Sequence, residues 1–395
     1  MKLIVICVVY PPKITSAAIQ INHLVEQLSK DGHTIEVITP ESSLKKAYSI
    51  ENKKNIKIIR FKNGRIIDTG LVNRTLNEFF MPFKIIYTLI NKKIKLNKCE
   101  GIIYWSPSIF FTPLIIYLKI INKCKCYLIL RDIFPRWAKD LKIIKNRFVY
   151  QFFNFFFLSH CYFSDVIGIQ AKGNKNFLPK SIFLKKLNIE VLNNWYSIDY
   201  KNKNCSINLS KTNFKNKKIF IHAGNIGLAQ GFEILIKIAQ KLQDNKDIGF
   251  LFIGRGTQFE RMKSIAKEKS ISNIMFHNQI DNSQILNLYN QCHFGIVILD
   301  KRHKTHNIPG KFIAYLHSGL PIFAIVNSNN DIINFIRDHK LGYVTDDFCE
   351  DDIVKKIIEF TNSNTLDPNI NEICKITAKK FFNTKKASDQ ILRHF

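Results

Sequence analysis

Short apolar runs recur along the chain, each followed by a polar loop and then by apolar positions at helical spacing. Residues 3–9 form the first run, the loop 10–16 follows, and Ile21, Leu24, Val25 and Leu28 then fall on one helix face. Gly32 closes that helix and 34–38 reads as the next strand. Residues 56–61, 101–105, 126–130 and 166–170 are predicted strands, 76–96 an apolar helical stretch kinked or broken at Pro82, and 191–195 the end of the half. The pattern restarts at strand 219–222. A loop with Gly224, Gly227 and Gly231 leads to a helix carrying Phe232, Leu235, Ile236, Ala239 and Leu242 on one side. Strand 249–253 runs into Gly254-Arg255-Gly256, helix 283–292 precedes strand 294–299, and Pro309 stands at the first position of a helix that Gly319 stops. Further helices are predicted from Asp331, over 351–360 and from about 371 to 382, with a short segment at 342–344. Strands alternating with helices predict α/β architecture with parallel sheets. Residues 201–218, rich in Lys, Asn and Ser, read as a linker between domains 1–200 and 219–365.

Charge adds a class of partner. The 395 residues hold 59 Lys and Arg against 31 Asp and Glu, a net charge of +28, which suits phosphorylated substrates or an anionic membrane surface. Compositional drift accounts for part of it, since Ile, Lys, Asn and Phe are abundant together. No RNA-binding aromatic signature, zinc-finger spacing or basic heptad appears, so nucleic acid is not an expected partner. Nine cysteines are scattered, and Cys124-Lys-Cys126 lacks a second pair for a metal, so reduced thiols and a cytoplasmic location are expected. Residues 3–9, broken by Pro11-Pro12, do not read as a signal peptide. Pro107 and Pro113 divide the uncharged stretch 102–118 into a strand, a turn and a buried helix rather than a membrane span. Residues 148–163, crowded with phenylalanine, read as core. With Lys142, Lys145 and Arg147 upstream, the other reading is a helix docked on the inner face of the plasma membrane.

Candidate chemistry gathers where loops follow strands. Helix N-termini after Gly-containing loops hold anions, which singles out Gly224, Gly227, Gly231, Gly254, Arg255, Pro309, Gly310 and Lys311, with Asn307 just ahead of the last group. In the first half Lys13, Thr15 and Ser16 occupy the corresponding loop, which has no glycine. Arg131 and Asp132 end a predicted strand, where either chemistry or an ion pair within the loop, with Asp140 available, is expected. No Asp-x-Asp motif supported by an apolar strand is present, so neither a metal nor another cofactor is expected.

Three segments carry a resemblance. Residues 309–321, Pro-Gly-Lys-Phe-Ile-Ala-Tyr-Leu-His-Ser-Gly-Leu-Pro, resemble the Pro-Ser-Lys-x-x-Glu-Tyr-x-Ala-x-Gly-x-Pro segment of retaining glycosyltransferases of family 4. Residues 223–231 resemble that family's donor-diphosphate loop, with Asn225 and Gln230 as donor-binding candidates where many relatives carry an Arg and a Lys, and 131–140, Arg-Asp-Ile-Phe-Pro-Arg-Trp-Ala-Lys-Asp, resemble a loop of its bacterial branch that transfers N-acetyl-L-fucosamine to O-antigen or capsule repeats. The resemblance implies a GT-B fold: two Rossmann-like domains facing across a cleft, with a C-terminal segment, 366–395, whose helix crosses back to the first. It implies a UDP-linked sugar as donor and a lipid-linked glycan as acceptor, with Arg131, Asp132 and His306 in catalytic positions. The family's paired glutamates fall at His306 and Ala314, neither a carboxylate. Loss of the ribose-binding one removes charged hydrogen bonds of roughly 1.5–3 kcal/mol each, or about 10- to 100-fold in donor affinity. A GT-B partner or scaffold without catalysis, and a sugar-nucleotide epimerase, stay open beside the transferase.

Overall fold

The first apolar run becomes the centre of a sheet. β1 (Lys2–Ile6) pairs in parallel with β2 (Thr34–Glu41) on one side and β5 (Gly101–Trp105) on the other. Its alternate side chains enter two cores, Ile4 and Ile6 on one face and Leu3 and Val5 on the other. Such a strand needs no polar face, which is why the sequence shows a continuous apolar run there. The computed structural model describes residues 1–13, 15–67, 69–178, 187–197, 205–362 and 366–395.

Two units divide the chain, Met1–Trp195 with Thr384–Phe395, and Tyr196–Asn383. In the first, α1 (Ser16–Lys30) joins β1 to β2, and a hairpin of β3 (Tyr48–Lys53) and β4 (Ile56–Lys62) follows. Next come α2 (Leu71–Asn91), β5, α3 (Thr112–Asn122), β6 (Lys125–Leu130), α4 (Arg136–Asp140), α5 (Arg147–Tyr162), β7 (Val166–Ile169) and β8 (Asn188–Val191). The sheet order is β3-β4-β2-β1-β5-β6-β7-β8, parallel except for β3. The polar β3, Tyr-Ser-Ile-Glu-Asn-Lys, has no apolar alternation for the sequence reading to catch. Pro82 neither ends nor interrupts α2, which continues to Asn91 with Met81, Pro82 and Ile85 buried. Packing of that face offsets the one backbone bond a proline forfeits.

The second unit repeats the grammar with β9 (Lys218–Asn225), α6 (Glu233–Lys241), β10 (Ile248–Arg255), α7 (Phe259–Glu268), β11 (Ile274–Asn278), α8 (Asn282–Tyr289) and β12 (Phe294–Ile298). Then follow α9 (Gly310–Ser318), β13 (Ile322–Ile325), α10 (Asp331–Asp338), β14 (Gly342–Thr345), α11 (Glu350–Thr361) and α12 (Ile370–Phe381). Its six strands lie in the order β11-β10-β9-β12-β13-β14, all parallel, a doubly wound Rossmann order whose direction reverses between β9 and β12.

The predicted linker lies partly outside the described residues. Its described part, 205–218, packs into the second unit: Ile207, Leu209 and Phe214 are buried in the core. Their spacing fits no helix or strand, so periodicity could not flag them. The last predicted helix divides at Asn383. α12 buries Cys374 and Ala378 in the second unit, while α13 (Thr384–Leu392) places Ala387 and Ile391 beside Leu24 and Leu28 of α1 in the first.

α5 departs from the core reading. Only Phe157, His160 and Cys161 are buried along it, and Phe148 is 84% exposed and Phe155 64%.

Candidate functional site

In a doubly wound sheet the strands that flank the reversal part at their carboxyl ends, and ligands bind in that crevice. The pairing pattern of the second unit shows the parting directly. β9 stays paired with β10 as far as Asn225 opposite Arg255, but with β12 only at Phe220–Phe294 and Ile221–Gly295. Beyond Ile221 the β12 side of β9 is released, and α9 fills the space. Tyr315 accepts a hydrogen bond from Ala223 N–H on its hydroxyl at 2.8 Å, and Gly295 leaves room for its ring, which a Cβ there would meet at 2.3 Å.

Lys311 sits one helical turn before Tyr315, on the same face of α9. Its Nζ lies 2.7 Å from His222 Nε2, and its Cε would be 3.5 Å from a Cβ on Gly224. His222 is fully buried and also meets the Asn225 carbonyl at 3.4 Å. Burial first, and the neighbouring lysine second, hold the imidazole well below its usual range, so it is neutral. Burial pushes Lys311 down to about 7. Part of its side chain reaches the surface, but no carboxylate among the described residues pairs with the amine. It stands in the first turn of a helix, where the macrodipole also disfavours a cation. The structure thus holds a lysine in a place built for an anion.

Glycines shape the rest. Gly224, Gly254 and Gly256 have φ of 136°, 149° and 146°. A Cβ on Gly254 would lie 1.8 Å from the Gly224 carbonyl oxygen, and one on Gly256 2.3 Å from that of Ile226. The two strand ends and their loops touch backbone to backbone. Gln230 ties the first loop, accepting from Gly227 N–H at 2.9 Å and from Asn225 Nδ2 at 3.2 Å. Gly231, in the left-handed region, packs where a Cβ would come 3.0 Å from Asp300 Cα. Asn225 and the exposed Arg255 stand opposite each other at the rim. Pro309 is the N-cap of α9 rather than its first residue, with Asn307 two residues before it. At Gly310 an added Cβ meets nothing within 4 Å. Gly310→Ser should therefore leave the thermal midpoint within a few degrees of the parent, the usual range of about ±0.5 kcal/mol for a surface change; a drop of ten degrees would refute this account of the position.

His306 bonds to the start of the next helix. Its Nδ1 lies 3.1 Å from Asp331 N and 3.0 Å from Asp331 Oδ1, so the ring holds the loop to the start of α10. A cavity of about 330 Å³ also touches Gly227 and Gly231, yet not Asn225, Arg255 or Lys311. Much of its charged wall is already paired, Lys237 with Glu350 at 2.8 Å and Arg302 with Asp300 at 2.7 Å. This hollow and the Lys311 crevice therefore have different linings.

The first unit has its own strand ends. Thr15 caps α1 by accepting from Ala18 N–H at 3.2 Å, Lys13 pairs with Glu41 at 3.5 Å, and Arg131 donates from Nη2 to Ser16 Oγ at 3.3 Å. The ion pair of the 131–140 loop joins Arg136 and Asp140 at 3.1 Å; Asp132 has no bonded partner among the described residues. At the neighbouring strand ends Trp105 Nε1, Ser106 Oγ and both side-chain atoms of Gln170 are buried without a partner among the described residues. Arg131 and Ser16 are thus brought together, while Lys13 and Thr15 have structural partners. Sequence reasoning missed His222, Tyr315 and Gln170. The only signal for His222 was a histidine closing an apolar run. Among the described residues no three His, Cys, Asp or Glu side chains gather as a metal ion would require.

Residues 207–381 match the family described as Glycosyl transferases group 1. The chain is 24% identical over 130 residues to a probable glycosyltransferase, WbjE, of Pseudomonas aeruginosa, an alignment spanning 33% of this chain and 32% of that relative. Among solved structures it is similar to WaaG, a glycosyltransferase involved in lipopolysaccharide biosynthesis (12% identity, TM-score 0.67, 98% of this chain and 99% of that one). It is also similar to Alr3699/HepE of Anabaena in complex with UDP (13% identity, TM-score 0.64, 100% and 99%). The fold is that of the GT-B glycosyltransferases, and residues 207–381 are the part of the chain that is similar to Glycosyl transferases group 1.

Proposed function

We propose that the protein transfers a sugar, with retention, from a UDP-sugar of the L-fucosamine type to a lipid-linked oligosaccharide in O-antigen or capsule assembly. The observation that carries this reading is the second unit's crevice, where an uncompensated Lys311 in the first turn of α9 overhangs the glycine backbone at the end of β9. A departing diphosphate supplies the missing anion, and amide N–H groups at the start of α9 add donors without a metal. The UDP held by HepE and the lipopolysaccharide role of WaaG agree with the donor and acceptor classes. In the first unit, Asp132 orients the acceptor hydroxyl, Arg131 and Ser16 flank it, and the unpartnered Gln170 suits sugar hydroxyls.

The scaffold reading keeps one observation in its favour: of the two positions where the family has glutamates, Ala314 is apolar and His306 is committed to Asp331. Incubating the purified protein with a panel of UDP-sugars and a lipid-linked acceptor, and measuring UDP release and product linkage, separates the two. UDP binding without release or transfer for any donor would favour the scaffold.

A further inference from the structure

The face of the first unit formed by α2 and α5 is apolar, exposed and unused by the proposed chemistry. Along α2, Leu71, Val72, Leu76, Phe80, Phe83, Tyr87 and Ile90 are exposed, and along α5 Phe148, Val149, Phe152 and Phe155. The two rows belong to one surface: beneath them the Phe79 ring lies 5.6 Å from Phe156 and 6.5 Å from Phe152. Soluble monomers seldom leave so many large apolar side chains together in water. Beside Phe80, Phe83 and Tyr87 runs an open groove of about 670 Å³, whose edge carries Lys62 and Lys84.

Charge selects the occupant. The only acidic residue in α2 is Glu78, already held by Arg74 at 2.7 Å, and α5 has none. Exposed Lys84, Lys92, Lys93, Lys142, Lys145 and Arg147 surround the apolar rows. A second copy of this chain, also at +28, would bring the same cations against them. No helix among the described residues is long and apolar enough to cross a membrane, so the face suits lying on a bilayer. We propose that the α2–α5 face docks on an anionic phospholipid bilayer, the groove taking an acyl chain between Phe80, Phe83 and Tyr87 while Lys62 and Lys84 meet the lipid phosphate. This goes beyond the transfer reading and does not depend on it.

The test is sedimentation of the full chain with vesicles of phosphatidylcholine alone and of phosphatidylcholine mixed with phosphatidylglycerol. Binding to the anionic vesicles should be at least about tenfold tighter than to the neutral ones, at roughly 1 kcal/mol for each basic residue near the surface. It should fall as salt is raised. The pairs Phe83→Ser with Tyr87→Ser, and Phe148→Ser with Phe155→Ser, should each weaken it about tenfold or more. Thermal midpoint and UDP affinity are measured on the same preparations to show that the fold survives, and Lys84→Glu tests the groove's phosphate contact without touching an apolar residue. Three results would overturn the proposal: no binding to anionic vesicles at low salt, binding that all these variants retain in full, or a dimer in solution that the Phe148→Ser change disperses while vesicle binding is absent.

Discussion

Replacing Lys311 with Met should lower UDP affinity about 10- to 100-fold and remove a proton from the binding reaction. The first effect follows from deleting a charge-assisted contact worth roughly 1.5–3 kcal/mol. The second follows from burial. In the free protein Lys311 has been pushed down to about 7, so at pH 8 most of its amine is neutral. A diphosphate beside it favours the charged form and raises the value again. The complex then holds more protons than its separated parts, and binding takes up close to one proton at pH 8. The sign is fixed by the direction of the shift. Below about 7 the free lysine is already protonated and the uptake vanishes; above it, UDP affinity falls by up to tenfold per pH unit until the complex itself titrates. The terminal phosphate of UDP, losing its last proton near roughly 6 as phosphate monoesters do, contributes nothing to this at pH 8. Titration calorimetry in two buffers of different ionisation enthalpy reads the proton directly. Equal heats in both buffers at pH 8, or unchanged affinity in Lys311→Met, would remove this lysine from the donor site. His222 reports on the same cluster: His222→Phe keeps the bulk and removes the ring nitrogen that meets the amine at 2.7 Å.

How far the sequence led to this site depends on the kind of signal each residue leaves. β9, β10, β12 and α9 were legible because a parallel strand buried on both faces is a plain apolar run, and a helix announces itself by spacing and by Gly319. Gly224 and Gly254 were legible as glycines at strand ends; both have a φ that side chains strain to adopt, and at Gly254 a Cβ would also meet the Gly224 carbonyl oxygen. The pairing of Lys311 with His222 was not, because the two are joined only by the sheet reversal and lie far apart in the chain. His306 shows the complementary case: its place in a motif is visible in the sequence, whereas its partner Asp331 is set by the fold. For α5, composition suggested core, but burial depends on what a neighbouring element covers, and among the described residues nothing covers Phe148 or Phe155.

Asp132→Asn should leave UDP affinity and the thermal midpoint nearly unchanged while turnover falls about 100-fold or more, the scale of a positioned acid–base group. The residue follows β6 of the first unit, whereas Lys311, His222 and the glycine loops belong to the second, so nucleotide binding to that crevice is expected to be insensitive to the change. Its carboxylate takes part in no ion pair or hydrogen bond among the described residues, so the native fold loses no polar contact there when one oxygen becomes an amide nitrogen. Arg131 and Arg136 show the contrast within the same loop. The Arg136–Asp140 pair spans α4 at 3.1 Å, and breaking it should cost stability before activity; Arg131 donates to Ser16 at the start of α1, and Arg131→Lys should fall between the two. A mutation that lowers kcat with little change in nucleotide affinity has removed an interaction made in the reacting complex. Full turnover in Asp132→Asn, with product formed at the parent rate, would assign the acceptor chemistry to another residue of the strand ends, and Gln170, buried and unpartnered beside it, would be the next to replace.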